Sequence, residues 1–180
     1  HLCDRRQRQM CIRDRCIICG MNGVCLTGNR PQKIPFPERS RECAELKERM
    51  RDAVVALIGE GYTRFYSGMA LGADTWFAEV VLGLKDVYPD IELIAAVPYA
   101  GQKDRLSASD RFRYDRILSR CSDVVVLSPE YTKYCMNKRN RYMVDNSDVV
   151  LVVNYAECGG TVNTRAYAVK KKKRIIDLSR

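Results

Sequence analysis

Short apolar runs alternate with segments of helical period along most of this chain, and no two neighbouring runs are close enough to form a tight hairpin. Strands separated in this way pair in parallel through right-handed crossovers, because antiparallel neighbours alone can be joined by two-residue turns. Strands are expected at Gly23 to Thr27, Arg64 to Ser67, Ile91 to Val97, Asp123 to Leu127, Val149 to Asn154 and Ile175 to Leu178. Between Arg39 and Ile58 the apolar residues Cys43, Leu46, Met50, Val54, Leu57 and Ile58 recur at spacings of three and four, which predicts an amphipathic helix stopped by Gly59 and Gly61. Further helices are expected at Ala73 to Leu84, at Gln102 to Ser119 with Leu106, Phe112, Ile117 and Leu118 inward, at Asn137 to Val144, and at Thr161 to Lys173. Pro31 to Pro37 holds three prolines and reads as a loop. The pattern predicts a single-domain, doubly wound, mostly parallel α/β sheet with helices on both faces.

The 180 residues, 46% of them hydrophobic, suit one such domain, which would bury about 70% of the surface its unfolded chain exposes. No apolar run approaches the roughly 20 residues of a membrane span, and the first residues lack the apolar core of a secretory signal. A cytoplasmic protein without membrane contact is expected. The nine cysteines are odd in number, and Cys25, Cys121 and Cys158 lie in or beside apolar runs, so reduced thiols are expected. Cys16 and Cys19 form a CxxC pair, but His1 is the only histidine and no metal site is expected.

The net charge is +9, of which residues 1–15 carry +3 and the remainder +6. Within that leader, Met10-Cys-Ile-Arg-Asp-Arg15 resembles the translation of a transposase adapter that contaminates metagenome-derived reading frames. Residues 1–20 are therefore expected to be a non-native or disordered leader, with the native protein beginning at or near Met21 and the domain spanning 21–180.

Three glycine turns follow apolar runs: Thr27-Gly-Asn-Arg30, Ser67-Gly-Met-Ala-Leu-Gly-Ala-Asp74, and Cys158-Gly-Gly-Thr161. The last two also open helices, whose N-termini carry free amides and partial positive charge and so bind anions. In a doubly wound sheet ligands sit outside the carboxyl ends of the strands, where all three turns are expected. Gly68 and Gly72 serve either ligand contact or tight packing, and Asp74 either accepts ribose hydroxyls or complements its own helix. Glu79 is either partly buried near the cleft, fit for acid-base work, or an exposed helix charge. Arg30 can fork onto a phosphate or lie free on the surface.

Gly159, Gly160 and Thr161 form a candidate anion nest, with Asn163 in reach. Arg139, Asn140 and Tyr142 are candidates to wall the cleft, Tyr142 by stacking on a base or by packing in the core. The run Lys170 to Arg174 reads as a solvated helix end, with nucleic acid as the second reading.

The sequence resembles the YpsA-type branch of the SLOG superfamily, Rossmann-like proteins that include the DNA-processing protein DprA and the LOG phosphoribohydrolases. The likeness runs from about Val24 to Asp177. It rests on TGNRP at Thr27 to Pro31, SGMALGAD at Ser67 to Asp74 followed by Glu79, VP at Val97 and Pro98, RNRYMVDNSD at Arg139 to Asp148, and GGT at Gly159 to Thr161. It implies a nucleotide-derived ligand, such as ADP-ribose or an NAD-like molecule, over the strand ends, with Thr27, Gly28, Asn29, Ser67 and Pro98 joining the residues above.

Two positions depart from the pattern. Asn29 stands where the first turn ordinarily has His, and Thr164 stands where LOG enzymes place a glutamate after their glycine turn. A LOG-like N-glycosidic hydrolase would have to use Glu79 or Asp74 as its catalytic carboxylates. A sensor or carrier of the nucleotide is the leading expectation, with the hydrolase and a DprA-like single-stranded DNA binder as alternatives. A homodimer is compatible with so small a sheet domain.

Overall fold

The computed structural model describes residues 22–180. The expectations for the leader, including its CxxC pair and the start at Met21, lie outside the described residues. Six strands, β1 (Gly23–Gly28), β2 (Arg64–Ser67), β3 (Glu92–Val97), β4 (Asp123–Val126), β5 (Val149–Val153) and β6 (Arg174–Asp177), form one sheet. Its order is β4-β3-β2-β1-β5-β6, and every pairing is parallel. Five helices connect the strands: α1 (Arg41–Gly59), α2 (Ala73–Leu84), α3 (Ala108–Leu118), α4 (Cys135–Asp145) and α5 (Gly160–Lys170). The fold is the Rossmann-like doubly wound sandwich that the alternation predicts.

Two apolar layers cover the two faces of the sheet. On one, Cys43, Leu46, Met50, Val54 and Leu57 of α1 pack with Trp76, Phe77 and Val81 of α2 and Tyr114 and Ile117 of α3 over Val24, Leu26, Phe65 and Leu93. On the other, Met143 and Val144 of α4 and Ala168 of α5 cover Cys25, Tyr66, Ile94, Val150 and Val152. The interior strand β5 is Val-Val-Leu-Val-Val and wholly buried, as expected of a parallel strand covered on both sides. Edge strand β4 instead leaves Val124 and Val126 exposed.

The described cysteines 25, 43, 121, 135 and 158 are free thiols. Burial pushes the Cys25 thiol up to about 12, so it acts as a small apolar side chain rather than a nucleophile.

One expected helix is divided. The stretch Gln102 to Ser119 folds as a 3-10 turn at Gln102–Arg105 followed by α3. Ser107 lies between them in extended conformation, and its hydroxyl accepts from the Asp110 amide at 3.1 Å, which starts a new helix there. The restart changes the inward face: Tyr114 is buried, and Phe112 is 72% exposed rather than an inner contact.

Candidate functional site

The chain runs outward from β1 through β2 and β3 to β4 on one side, then crosses back to β5 on the other side of β1. At such a reversal the connections leaving the two central strands diverge and open a crevice at their carboxyl ends. A cavity of about 320 Å³ lies at these strand ends, lined by Thr27, Gly28 and Asn29 at the end of β1 and by Gly160 and Thr161 at the start of α5. Of nine buried polar or charged side chains among the described residues, eight belong to the ends of β1 and β2 or to α2, α4 and α5 near their cavity ends; only Ser147 precedes a strand. Buried polar atoms must find partners, and most of these do, on one another or on nearby backbone carbonyls; Arg139 Nε has none among the described residues.

Asn29 is the hub of that network. Its amide nitrogen donates to Thr161 Oγ1 at 3.2 Å and to Asn154 Oδ1 at 3.4 Å, and its oxygen accepts from the Tyr155 amide at 2.6 Å. One 5% exposed side chain therefore ties the end of β1 to the chain leaving β5 and to the first turn of α5. With its donors and acceptor so engaged, Asn29 positions the cavity wall.

The glycines divide by function. A Cβ on Gly28 would stand 2.3 Å from that of Ala73, so this glycine admits α2 against β1. Gly72, at φ +92°, packs against the Asn29 carbonyl and Pro31, and a Cβ would meet both at 2.9 Å. Gly68 makes room for a guanidinium: a Cβ there would fall on Arg139 Nη1.

Arg139 enters that space from α4, donating to the Gly68 carbonyl and to Asp74 Oδ2 at 3.1 Å. The two side chains are 7% and 6% exposed. Burial raises the Asp74 carboxyl above its ordinary range while Arg139 pulls it down, and burial lowers the Arg139 guanidinium while Asp74 opposes. Asp74 also accepts from the Ala70 amide at 3.4 Å, within the turn that opens α2. The N-terminus of α2 is thus neutralised by the protein's own carboxylate.

The N-terminus of α5 is not. Its cap is Gly159 at φ +125°, with no side-chain cap and no acid in the first turn. The first helical bond runs from the Asn163 amide to the Gly159 carbonyl, which leaves the earlier amides pointing beyond the helix end. Lys33 Nζ donates to the Cys158 carbonyl at 3.0 Å and so places an ammonium beside this turn. Arg30 is exposed, lines the same cavity, and forms no ion pair among the described residues.

Of the residues picked out from sequence, Thr27, Gly28, Asn29, Arg30, Asp74, Arg139, Asn140, Gly160 and Thr161 line the cavity. Ser67, Gly68, Gly72 and Gly159 shape its walls from behind, and the Ser67 hydroxyl is spent on the Asp74 carbonyl at 2.8 Å. Asn163 faces a separate groove between α4 and α5. Tyr142 packs edge-on against Tyr66 in the second apolar layer, not over the cavity. Pro98 follows β3 and does not line it.

Glu79 is turned the other way, with both oxygens accepting from Arg113 at 2.7 and 2.6 Å. Asp74 is the only acid among the lining residues. Gln32, Lys33, Met136 and Met143 line the cavity without having been singled out. Met136, Arg139, Asn140 and Met143 form one stripe on α4 at spacings of three, four and seven, a signal readable in the sequence.

Comparison with known proteins agrees with this architecture. The model of the YspA SLOG family matches residues 24–178. A UPF0398 protein of Halalkalibacterium halodurans is 27% identical over 157 residues, covering 86% of this chain and 83% of its own. DprA from Helicobacter pylori, described for its single-stranded DNA binding mode, superposes with a TM-score of 0.59 at 18% identity, over 86% of this chain and 64% of its own. The molybdenum cofactor carrier protein of Chlamydomonas reinhardtii superposes with a TM-score of 0.51 at 15% identity, over 86% and 75%. These two share the fold. A match running from the second residue of β1 to the residue after β6 covers the whole sheet and both walls of the cavity, and the chain belongs to the YspA SLOG family.

Proposed function

We propose that the protein binds a phosphate-bearing, nucleotide-derived small molecule, of the ADP-ribose or NAD type, in the cavity between β1 and β5. The observation that carries this reading is the uncapped N-terminus of α5, with Lys33 beside it and unpaired Arg30 on the same cavity. Open amides at a positive helix end, flanked by a guanidinium that can fork onto two oxygens, form a receptor for phosphate. Asn29 and Thr161 hold that receptor rigid.

Binding is favoured over glycosidic hydrolysis. A carboxylate pair is the usual machinery of that reaction, and Asp74, already committed to Arg139, is the one acid on the cavity. Thr164, in the place of the LOG glutamate, instead donates to the Gly160 carbonyl and accepts from Asn140.

Nucleic acid is the second reading, favoured by the cationic groove of Arg141, Lys170 and Lys171 between α4 and α5. The Tyr167 ring in it already carries Arg141 and Lys171 at 5.4 and 5.3 Å, and its hydroxyl is bonded to Asp145. It is a poor platform for a stacked base.

Thermal denaturation with ADP-ribose, NAD, AMP and pyrophosphate tests the proposal. A ligand bound by the folded state alone raises the melting temperature as its concentration rises. We expect that rise with at least one of the four, and its loss in Arg30→Ala, which removes an exposed side chain without disturbing the fold. Failure of all four to move the melting temperature would refute it, and salt-sensitive binding of an oligonucleotide without such a shift would favour the second reading.

A further inference from the structure

A second compartment adjoins the phosphate cavity. It has a volume of about 450 Å³ and shares Arg30, Gln32, Ala70 and Met136 with the first, so the two form one cleft across the ends of β1, β2 and β3. Its chemistry is different. It adds what the first compartment lacks, aromatic rings: Tyr99 and Tyr131 stand there with Met69, Met136, Leu71 and Leu106, beside Arg30 and Arg105.

The aromatic pair is preorganised. Tyr99 is 7% exposed and meets Tyr131 edge to face at 5.4 Å between ring centres. Tyr131, in the loop between β4 and α4, is 54% exposed, and the Arg105 guanidinium lies 5.4 Å from its ring centre. Tyr131 carries one guanidinium where half-buried Tyr167 carries two cations, and its 54% exposed ring keeps surface free for a planar ligand.

The floor is held under tension. Met69 is buried with φ +54°, a left-handed conformation that a residue with a bulky side chain adopts only under strain. Gln102 Nε2 grips its carbonyl at 2.9 Å, and the Ser67 hydroxyl receives its amide at 3.3 Å. Those bonds fix the Met69 side chain into the compartment wall.

Resting on the phosphate reading above, we infer that this compartment is the subsite for the aromatic base of the same ligand, with Tyr131 as stacking surface and Arg30 bridging between base and phosphate compartments. The nucleotide class proposed above thereby gains a seat for its base, which sugar phosphates and simple polyphosphates would leave empty. The Gln102 amide is used within the protein, while the Gln32 side chain is the one lining amide with no hydrogen bond among the described residues.

Calorimetric titration of the full chain with two probes tests the inference. ADP-ribose and inorganic pyrophosphate share a diphosphate, and only the first carries a ring. The expected result is that Tyr131→Ala weakens ADP-ribose about tenfold, in the range measured for base stacking, and leaves pyrophosphate unchanged. Tyr131→Phe keeps the ring and should bind both as the parent does. Equal weakening of both probes by Tyr131→Ala, or no weakening of ADP-ribose, overturns the base subsite while leaving the phosphate reading standing. If neither probe binds the parent protein, the base subsite fails; the phosphate reading fails with it only when NAD and AMP also leave the melting temperature unmoved.

Discussion

The N-termini of α2 and α5 are built from the same local elements and reach opposite electrostatic states. Each follows a buried strand, and each begins at a glycine with positive φ, Gly72 at +92° and Gly159 at +125°. In α2 an aspartate stands two residues past the cap and is locked by Arg139, so the helix end is already satisfied. In α5 the equivalent position is Thr161, which turns its hydroxyl to Asn29 and brings no charge. A glycine-capped helix after a strand is therefore ambiguous by itself. What separates a packing device from a ligand receptor is whether the first turn carries its own anion.

The comparison breaks most readily at Gly68. Placing a methyl there drives the Arg139 guanidinium out of its seat and leaves Asp74 buried without its counter-ion. Breaking a buried pair in this way costs about 3–5 kcal/mol. Guanidinium denaturation of Gly68→Ala should show a loss of that order. A loss below about 1 kcal/mol would mean that Arg139 has another seat and that α2 is not sealed as described. Replacing both charges, Asp74→Leu with Arg139→Met, should restore most of the stability, since a well-packed apolar pair replaces a desolvated ionic one.

The converse experiment gives α5 what α2 already has. A Cβ on Gly160 would meet only Asn140 Nδ2, at 3.9 Å, so Gly160→Asp can be accommodated. An acid in the first helical turn is favourable by about 0.3–1 kcal/mol. The variant should match or slightly exceed the parent in stability and lose the ADP-ribose-induced rise in melting temperature. Retention of that rise would show that the ligand seat lies elsewhere.

Much of this arrangement was legible before any coordinates. The bounds of β2 and α2 follow from apolar runs interrupted by glycine, and the parallel pairing of six strands follows from the alternation, whereas their order in the sheet does not. The division between α3 and its preceding turn did not, because Ser107 sits in a mostly polar stretch with Ser109 and Asp110 close by, where a cap and a surface serine look alike. For Glu79 the sequence leaves open a place near the cleft or an exposed helix charge; five residues past Asp74 are about 140° of helical rotation, which turns it away from the cavity toward Arg113. Tyr99, Tyr131 and Lys33 were missed for a different reason. They lie in loops or, for Lys33, a three-residue 3-10 turn, too short for any periodicity to mark which side chains return to a common point.

That Glu79 cluster supplies the smallest test, on the sealed side of the molecule. Arg113 bridges α2 to the loop before α1, holding Glu38 at 2.6 and 3.0 Å as well as Glu79. Its hydrogen bonds, ahead of all other influences, bring the Glu38 carboxyl from 4.5 down to about 2. A carboxylate depressed in the folded state stabilises fully above its unfolded pKa and loses that contribution as pH falls through the folded one, here between about 4.5 and 2. Because the Glu38 side chain is 39% exposed, solvent screening holds the contribution to about 1 kcal/mol or less. The stability difference between the parent and Glu38→Gln should accordingly be largest near pH 6 and shrink as the pH approaches 3. Parallel pH profiles for the two proteins would show that Arg113 is held by Glu79 alone, and that α2 is pinned at its sealed end and its middle without help from the loop.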